Sequence, residues 1–342
     1  MFELLNKLCR TGGVSGDEAE TCRVAADIIG EYADASINDF NSVIAVFGNK
    51  SASHTLLLDA HIDRIGFVVT DITDDGFLKV DKCGGTDLRT VLGSTVEVCG
   101  KTKLTGVVCC MPPHLSDGNE DSAISKDNVY IDLGLSYDRV KDLIRLGDTV
   151  YFSQKTRKLA GDYITAPALD NRAGVAAVIE AARLVKESPL ECSIRVIALL
   201  SSQEETYQLG VKTGAFSIDA DEAIAIDVSF ASQPCIAGQY GRISPAKGPM
   251  VCASPVLDNG IYKKLIKLAD SKNIPYQTEV CSGRAGTNAD SIAITRNGIK
   301  SGLVSIPQRY MHTQAEVVNA DDIKNTALLL SEYILLGGNS VG

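Results

Sequence analysis

Apolar positions recur at helical spacing from Asp17 to Ala33, after a Gly-Val-Ser-Gly turn, and the runs Ser42–Phe47 and Thr55–Ala60 follow. The first pattern predicts a helix and the next two predict strands. From about Thr70 to Gly161 the texture changes. Short β-like runs at Phe77–Val80, Thr95–Val98, Val107–Cys110 and Thr149–Phe152 are separated by clusters of Gly, Pro and Asp, which predicts a small inserted β domain over residues 70–161. Beyond Asp162 apolar strands alternate with helices: Asn171–Lys186, Leu257–Ser271 and Asp321–Leu336 read as helices, Ile194–Leu200, Ala223–Ile226 and Gly302–Ile306 as strands. Such alternation predicts an α/β core, formed by residues 1–69 and 162–342 and split by the insert.

Composition narrows the classes of partner. The chain has 342 residues, 45% of them hydrophobic and 22% charged, which sets disordered and fibrous classes aside and allows a large core. Its 43 acidic and 33 basic residues give a net charge of -10, which repels nucleic-acid phosphates and anionic membranes. No nucleic-acid or membrane partner is expected. Ten cysteines show no C-x-x-C pair and no framework spacing, the pattern of reduced thiols. The opening MFELLNKLCRTGG has too short an apolar part and no small-residue cleavage site for a secretory signal, and no apolar run is long enough to span a bilayer. A cytoplasmic location is the expectation.

In open α/β sheets chemistry gathers at the carboxyl ends of strands. Leu56–Ala60 runs into His61-Ile62-Asp63, Ile197–Leu200 runs into Ser201-Ser202-Gln203-Glu204-Glu205, and Ala223–Ile226 runs into Asp227. Leu303–Ile306 is followed after a short loop by Tyr310-Met311-His312, and Asp170 stands where a helix begins. Each residue alone has a structural explanation: Asp170 as an N-cap, Glu204-Glu205 as a solvated strand end, Asp227 as a turn residue, His312 at the surface. His54 and His114 read as ordinary loop or core residues. Together, two histidines and four carboxylates at strand ends offer the nitrogen and oxygen donors that suit zinc, cobalt or manganese, with no thiolate of the kind structural zinc uses. The two-residue spacing of His61 and Asp63 puts both on one side of an extended chain, so that Asp63 can hold the ring N–H of His61.

These residues resemble the glutamyl and deblocking aminopeptidases, peptidases with two co-catalytic metals that assemble tetrahedral shells. The resemblance rests on Gly13-Val14-Ser15-Gly16, His61-Ile62-Asp63 with Ile65-Gly66-Phe67, Ala168-Leu169-Asp170-Asn171-Arg172-Ala173-Gly174, Gln203-Glu204-Glu205, Ala225-Ile226-Asp227-Val228, Lys247-Gly248-Pro249 and Tyr310-Met311-His312, in that order. It implies a mixed-sheet metallopeptidase core with helices on both faces, and a β-barrel-like insert used for assembly and access. It further implies that His61 and Asp227 bind one metal, that Glu205 and His312 bind the other, and that Asp170 bridges both. Glu204 matches the general base and Asp63 the carboxylate orienting His61. A cis peptide bond between Asp170 and Asn171, dimers, and a closed dodecameric shell are also implied. Arg64 and Asn288 depart from the family pattern, which often has Glu and Asp there. Arg64 and Arg284 read as surface or interface charges, with selection of an acidic substrate side chain as the alternative.

The implied chemistry is removal of the first residue from short peptides with a free N-terminus. Two divalent ions, zinc or cobalt with manganese as an alternative, would activate a shared water, and Glu204 would take its proton. A di-metal deacylase of N-acyl amino acids is the alternative within the same site. An endoglucanase is disfavoured because glycosidase carboxylates flank the sugar from two sides, roughly 5–9.5 Å apart.

Overall fold

The computed structural model describes residues 1–112, 114, 125 and 128–337. Continuous apolar runs become the central strands of an 11-stranded mixed sheet. Its main path runs Asp34–Ile37, Val43–Gly48, Arg195–Ser201, Thr55–His61, Glu222–Phe230, Lys300–Arg309, Glu316–Asn319, Tyr163–Ala166 and Arg157–Lys158. The four strands from Arg195–Ser201 to Lys300–Arg309 are parallel, and the flanking pairs are antiparallel. Successive strand residues point to opposite faces, so Leu56, Leu58, Ala198 and Leu200 pack into one core and Leu57 and Leu199 into another. Burial on both faces explains why these strands read as unbroken apolar runs.

Helices Leu169–Glu187, Asn259–Lys272 and Ala320–Leu335 cover the first face with Phe2–Cys9 and Ala19–Ile29, while Leu209–Ile218 and Asn288–Ala293 cover the second. Leaving the sheet after His61, the chain builds a closed six-stranded barrel, in the order Gly66–Ile72, Leu78–Cys83, Tyr130–Asp132, Lys103–Val108, Thr95–Cys99, Thr149–Phe152. The barrel has its own core around Phe67, Val80, Val98, Ile131 and Phe152. None of the described helices is long and apolar enough to cross a membrane.

Several strands have other bounds than the sequence reading gives: Gly302–Ile306 extends to Lys300–Arg309, and Phe77–Val80 becomes Leu78–Cys83. The run Val107–Cys110 predicts a strand, but the ladder spans Lys103–Val108. Its first four residues, Lys-Leu-Thr-Gly, pair in register with Val96 to Cys99 although they are not an apolar run, because cross-strand hydrogen bonding needs no apolar side chain. The strand Ala223–Ile226 extends from Glu222 to Phe230, which changes the position of Asp227.

Arg172 ties the amino-terminal segment to the long helix. Its guanidinium is fully buried and donates to the carbonyls of Leu8 at 2.8 Å and Gly12 at 3.0 Å, and to Thr11 Oγ1 at 3.1 Å. Replacement by Met removes the Arg172 donors from the Gly12 carbonyl, the Leu8 carbonyl and Thr11 Oγ1, and of the two carbonyls only that of Leu8 keeps another side-chain donor, Thr11 Oγ1 at 2.8 Å. Arg172→Met is therefore expected to lower the unfolding free energy by about 3 kcal/mol, read by urea denaturation; a change below about 0.5 kcal/mol would show that water replaces the guanidinium.

Candidate metal centre

The site forms where the central parallel strands stop pairing. Asp59 pairs with Ala225, and the ladder between their strands ends there, while Glu222–Phe230 stays paired with Lys300–Arg309 as far as Phe230. His61, two residues past Asp59, and Asp227, two past Ala225, therefore lie level at the same edge. Asp227 sits inside its strand, not beyond its end as the apolar run predicts. It faces the site because the neighbouring strand has turned away.

Asp170 enters from the start of the long helix, after Ala168 in a left-handed conformation, and the Asp170–Asn171 peptide bond is cis. Asn171 fixes this corner, its Nδ2 donating to the Ile226 carbonyl at 2.8 Å and its Oδ1 accepting from Gly174 N at 3.0 Å. The two oxygens of Asp170 face different histidines. Oδ1 lies 3.1 Å from His61 Nε2, and Oδ2 lies 3.3 Å from His312 Nε2. Asp227 Oδ1 is 3.7 Å from His61 Nε2, and Glu205 Oε2 is 3.4 Å from His312 Nε2. The donor atoms thus fall into two groups, His61, Asp170 and Asp227, and Asp170, Glu205 and His312, each within 4.8 Å, with Asp170 common to both.

Glu204 and Glu205 follow the strand Arg195–Ser201 in a turn opened by Gln203 at φ 56°. The turn lets adjacent side chains reach one cavity of about 310 Å³, lined by both glutamates, His61, Asp170, Asp227 and His312. A larger hollow of about 760 Å³ elsewhere, near Tyr32 and Lys50, gathers none of these residues. His54 pairs with Glu222 at 3.2 Å, away from the cluster, and His114 is exposed.

Burial of so many acids sets the electrostatics. Desolvation drives the carboxyl groups of Glu205 and Asp227 above their ordinary range, with Asp170 adding repulsion, and pushes Glu204 up to about 7. Burial opposes charge on His312, but Asp170 and Glu205 outweigh it and hold the imidazolium up to about 10. Among the described residues no Lys or Arg pairs with Asp170, Glu205 or Asp227, and the buried Glu205 Oε1 has no hydrogen-bond partner. Two imidazoles and three carboxylates without a balancing side-chain cation are a donor set that fits divalent metal ions.

Two further carboxylates shape the cluster. Asp63 Oδ1 lies 3.4 Å from His61 Nδ1, beside the ring as the spacing predicts but beyond a good hydrogen bond. Its oxygens accept from Glu204 N at 2.9 Å and Glu205 N at 3.1 Å, and from the Ser15 hydroxyl. Burial would raise the Asp63 carboxyl, yet these donors and His61 hold it below its usual value. Glu316, absent from the sequence reading, accepts from Asp170 N and from His312 N, both at 3.0 Å. Its burial, in a strand whose four residues are all buried, raises its carboxyl to about 8. The only sequence signal was an acid beginning the apolar run Glu316-Val317-Val318.

The residues that depart from the family pattern also find places. Asn288 is buried and donates to Asp59 Oδ2 at 2.8 Å and Ser201 Oγ at 2.9 Å, underneath His61. Arg64 is not the surface charge expected: it is 1% exposed, with its guanidinium 5.3 Å from the Tyr151 ring centroid. Arg284 is exposed and pairs with Asp290 at 3.5 Å.

A mixed α/β sheet whose central parallel strands carry clustered histidines and carboxylates at their carboxyl edge, with an inserted barrel, defines a metallopeptidase core. Residues 41–329 match the model of the M42 glutamyl aminopeptidase family. The chain is 34% identical over 337 residues to a lysyl aminopeptidase of Pyrococcus furiosus, covering 96% of this chain and 95% of that protein. It resembles an aminopeptidase structure from the archaeon Desulfurococcus kamchatkensis with a TM-score of 0.90 and 31% identity, over 97% of this chain and 94% of the other. A TET1 peptidase of Pyrococcus horikoshii that can assemble into a tetrahedron or a large octahedral shell matches with a TM-score of 0.85 and 29% identity, over 97% and 98%. The chain belongs to the M42 glutamyl aminopeptidase family and is a peptidase hydrolase.

Glu316→Gln keeps the size of the side chain but points an amide N–H at one of the two backbone donors it now receives. The expected result is a folded protein that binds divalent metal about 10- to 100-fold more weakly, measured by chelator competition. Unchanged affinity would mean that the Asp170 and His312 backbones hold their places without it.

Proposed function

We propose that this chain is a metal-dependent aminopeptidase that removes N-terminal residues from short peptides, acting in the cytoplasm. The observation that carries this reading is the pair of donor groups sharing Asp170, whose two oxygens face His61 and His312. In this reading His61 and Asp227 hold one divalent ion, Glu205 and His312 hold the second, and Asp170 holds both. Zinc or cobalt suits the set best and manganese is also accommodated; when bound, the ions supply Lewis acidity that polarises the scissile carbonyl and lowers the pKa of water.

The protein groups do the rest. Glu204 lines the cavity without belonging to either donor group, and Gln208 Nε2 donates to its Oε1 at 3.1 Å. It accepts a proton as water oxygen bonds to the carbonyl carbon, and returns that proton to the amine nitrogen as the carbon–nitrogen bond breaks. Asp63 positions His61 and the Glu204-Glu205 backbone. A free α-amine is a cation entering an acidic cleft, which favours cleavage from the amino terminus. An N-acyl amino acid lacks that cation. Parallel assays of aminoacyl anilides and N-acetyl amino acids separate aminopeptidase from deacylase.

Self-association into dimers and a dodecameric shell completes the proposal. Support comes from the shell-forming relative and from Leu92, Val107 and Leu146, apolar residues exposed on or beside the barrel. Light scattering with metal present should give a mass near twelve chains, and a monomer alone would remove the shell from the proposal.

Ligand and base have different duties. Asp170→Asn should lose bound metal and activity together, whereas Glu204→Gln should retain metal while kcat falls about 10²–10⁴-fold. Metal analysis and kinetics on the same preparations decide this. Loss of metal from Glu204→Gln would make Glu204 a ligand, and near-normal turnover would leave the base elsewhere.

A further inference from the structure

One buried acid in the cavity wall takes no part in the chemistry above. Glu279 lies in the strand Gln277–Val280, is 3% exposed and lines the same cavity as the donor cluster. Ser229 Oγ donates to its Oε1 at 2.6 Å, and Ser305 Oγ to its Oε2 at 3.2 Å. Both serines sit on the strands that carry the site: Ser305 is directly opposite Asp227, and Ser229 is two residues beyond Asp227. Among the described residues no Lys, Arg or His forms an ion pair with Glu279, and its remaining polar neighbour is the neutral Tyr240 hydroxyl. A buried carboxylate held by neutral hydroxyls in a substrate cavity is a receptor for a cation.

The spacing says which cation. Ser305 holds Oε2 of Glu279 level with Asp227, while two residues of extended strand place Ser229, which holds Oε1, about 6.7 Å beyond Asp227, so a cation seated on the Oε1 side is displaced by a side chain's length from the donor cluster. A long methylene stem with a cationic head has that reach, and an α-amine attached beside the scissile carbonyl does not. Phe230 and Tyr240, packed edge to face with centroids 5.3 Å apart, line the cavity with Leu303 and offer apolar surface to the stem. We propose that Glu279 is the specificity residue for the substrate's first side chain, selecting lysine or arginine. This rests on the aminopeptidase reading and reverses the acidic preference considered for Arg64 and Arg284.

The test is kcat/KM of the metal-loaded enzyme on lysyl, arginyl, norleucyl, leucyl and glutamyl 4-nitroanilides. Norleucine keeps the lysyl stem without the ammonium. Wild type is expected to favour lysyl over norleucyl by about 10- to 100-fold, the worth of one hydrogen-bonded charge in a buried site. Glu279→Gln should erase that ratio while leaving norleucyl turnover within about threefold. Equal wild-type rates on lysyl and norleucyl substrates would overturn the proposal whatever the variant does. A uniform loss on every substrate in Glu279→Gln would also overturn it, by making Glu279 structural or an α-amine site. Hydrolysis of none of the five would overturn the aminopeptidase reading and this inference together, whereas good hydrolysis with a glutamyl or leucyl preference defeats only the latter.

Discussion

Three carboxylates from different segments meet at one buried edge of the sheet, and no side chain among the described residues neutralises them fully. A buried carboxylate ordinarily takes up a proton or finds a cation. Here Asp170, Glu205 and Asp227 share only His61 and His312, while desolvation drives Glu205 and Asp227 toward protonation. Divalent ions held by the two donor groups would remove this conflict, and each imidazole would then offer a lone pair where it otherwise holds a proton. The Asp170 carboxylate, one oxygen toward each group, is the member both groups need.

Holding such a cluster requires the backbone to be fixed before any ion arrives. Asp63 grips the amides of Glu204 and Glu205, Glu316 grips those of Asp170 and His312, and Asn171 ties the helix start to the strand bearing Asp227. Left-handed backbone at Ala168, Gln203 and His312 appears where these segments bend into the site. Non-glycine residues adopt that conformation at a cost, and surroundings at functional sites enforce it. The barrel takes part as well: a side chain at Gly85 would place its Cβ 2.5 Å from His312 Nδ1, so the loop after Leu78–Cys83 closes on the ring only because it is glycine. Site, sheet edge and barrel are one mechanical unit.

Much of this was legible in the chain because parallel strands buried on both faces leave long apolar runs, and polar residues after such runs stand out. His61, Asp170, Glu204, Glu205, Asp227 and His312 come together around one cavity for that reason. What escaped were residues whose meaning depends on a partner distant in sequence. Glu316 and Glu279 each sit in a four-residue strand with nothing nearby to mark them, and their burial comes from elements more than a hundred and about fifty residues away, at Asp170 and Ser229. Arg64 looked like a surface charge because sequence carries no sign that Tyr151 lies over it. Asp227 looked like a strand terminus because the departure of a neighbouring strand leaves no trace in the strand that continues.

Anomalous scattering from crystals grown with cobalt tests the shared cluster most directly. Two peaks per chain are predicted, one among His61, Asp170 and Asp227 and one among Asp170, Glu205 and His312, with Asp170 contacting both. A single peak at full occupancy, or metal bound away from Asp170, would contradict a two-ion centre built on that residue.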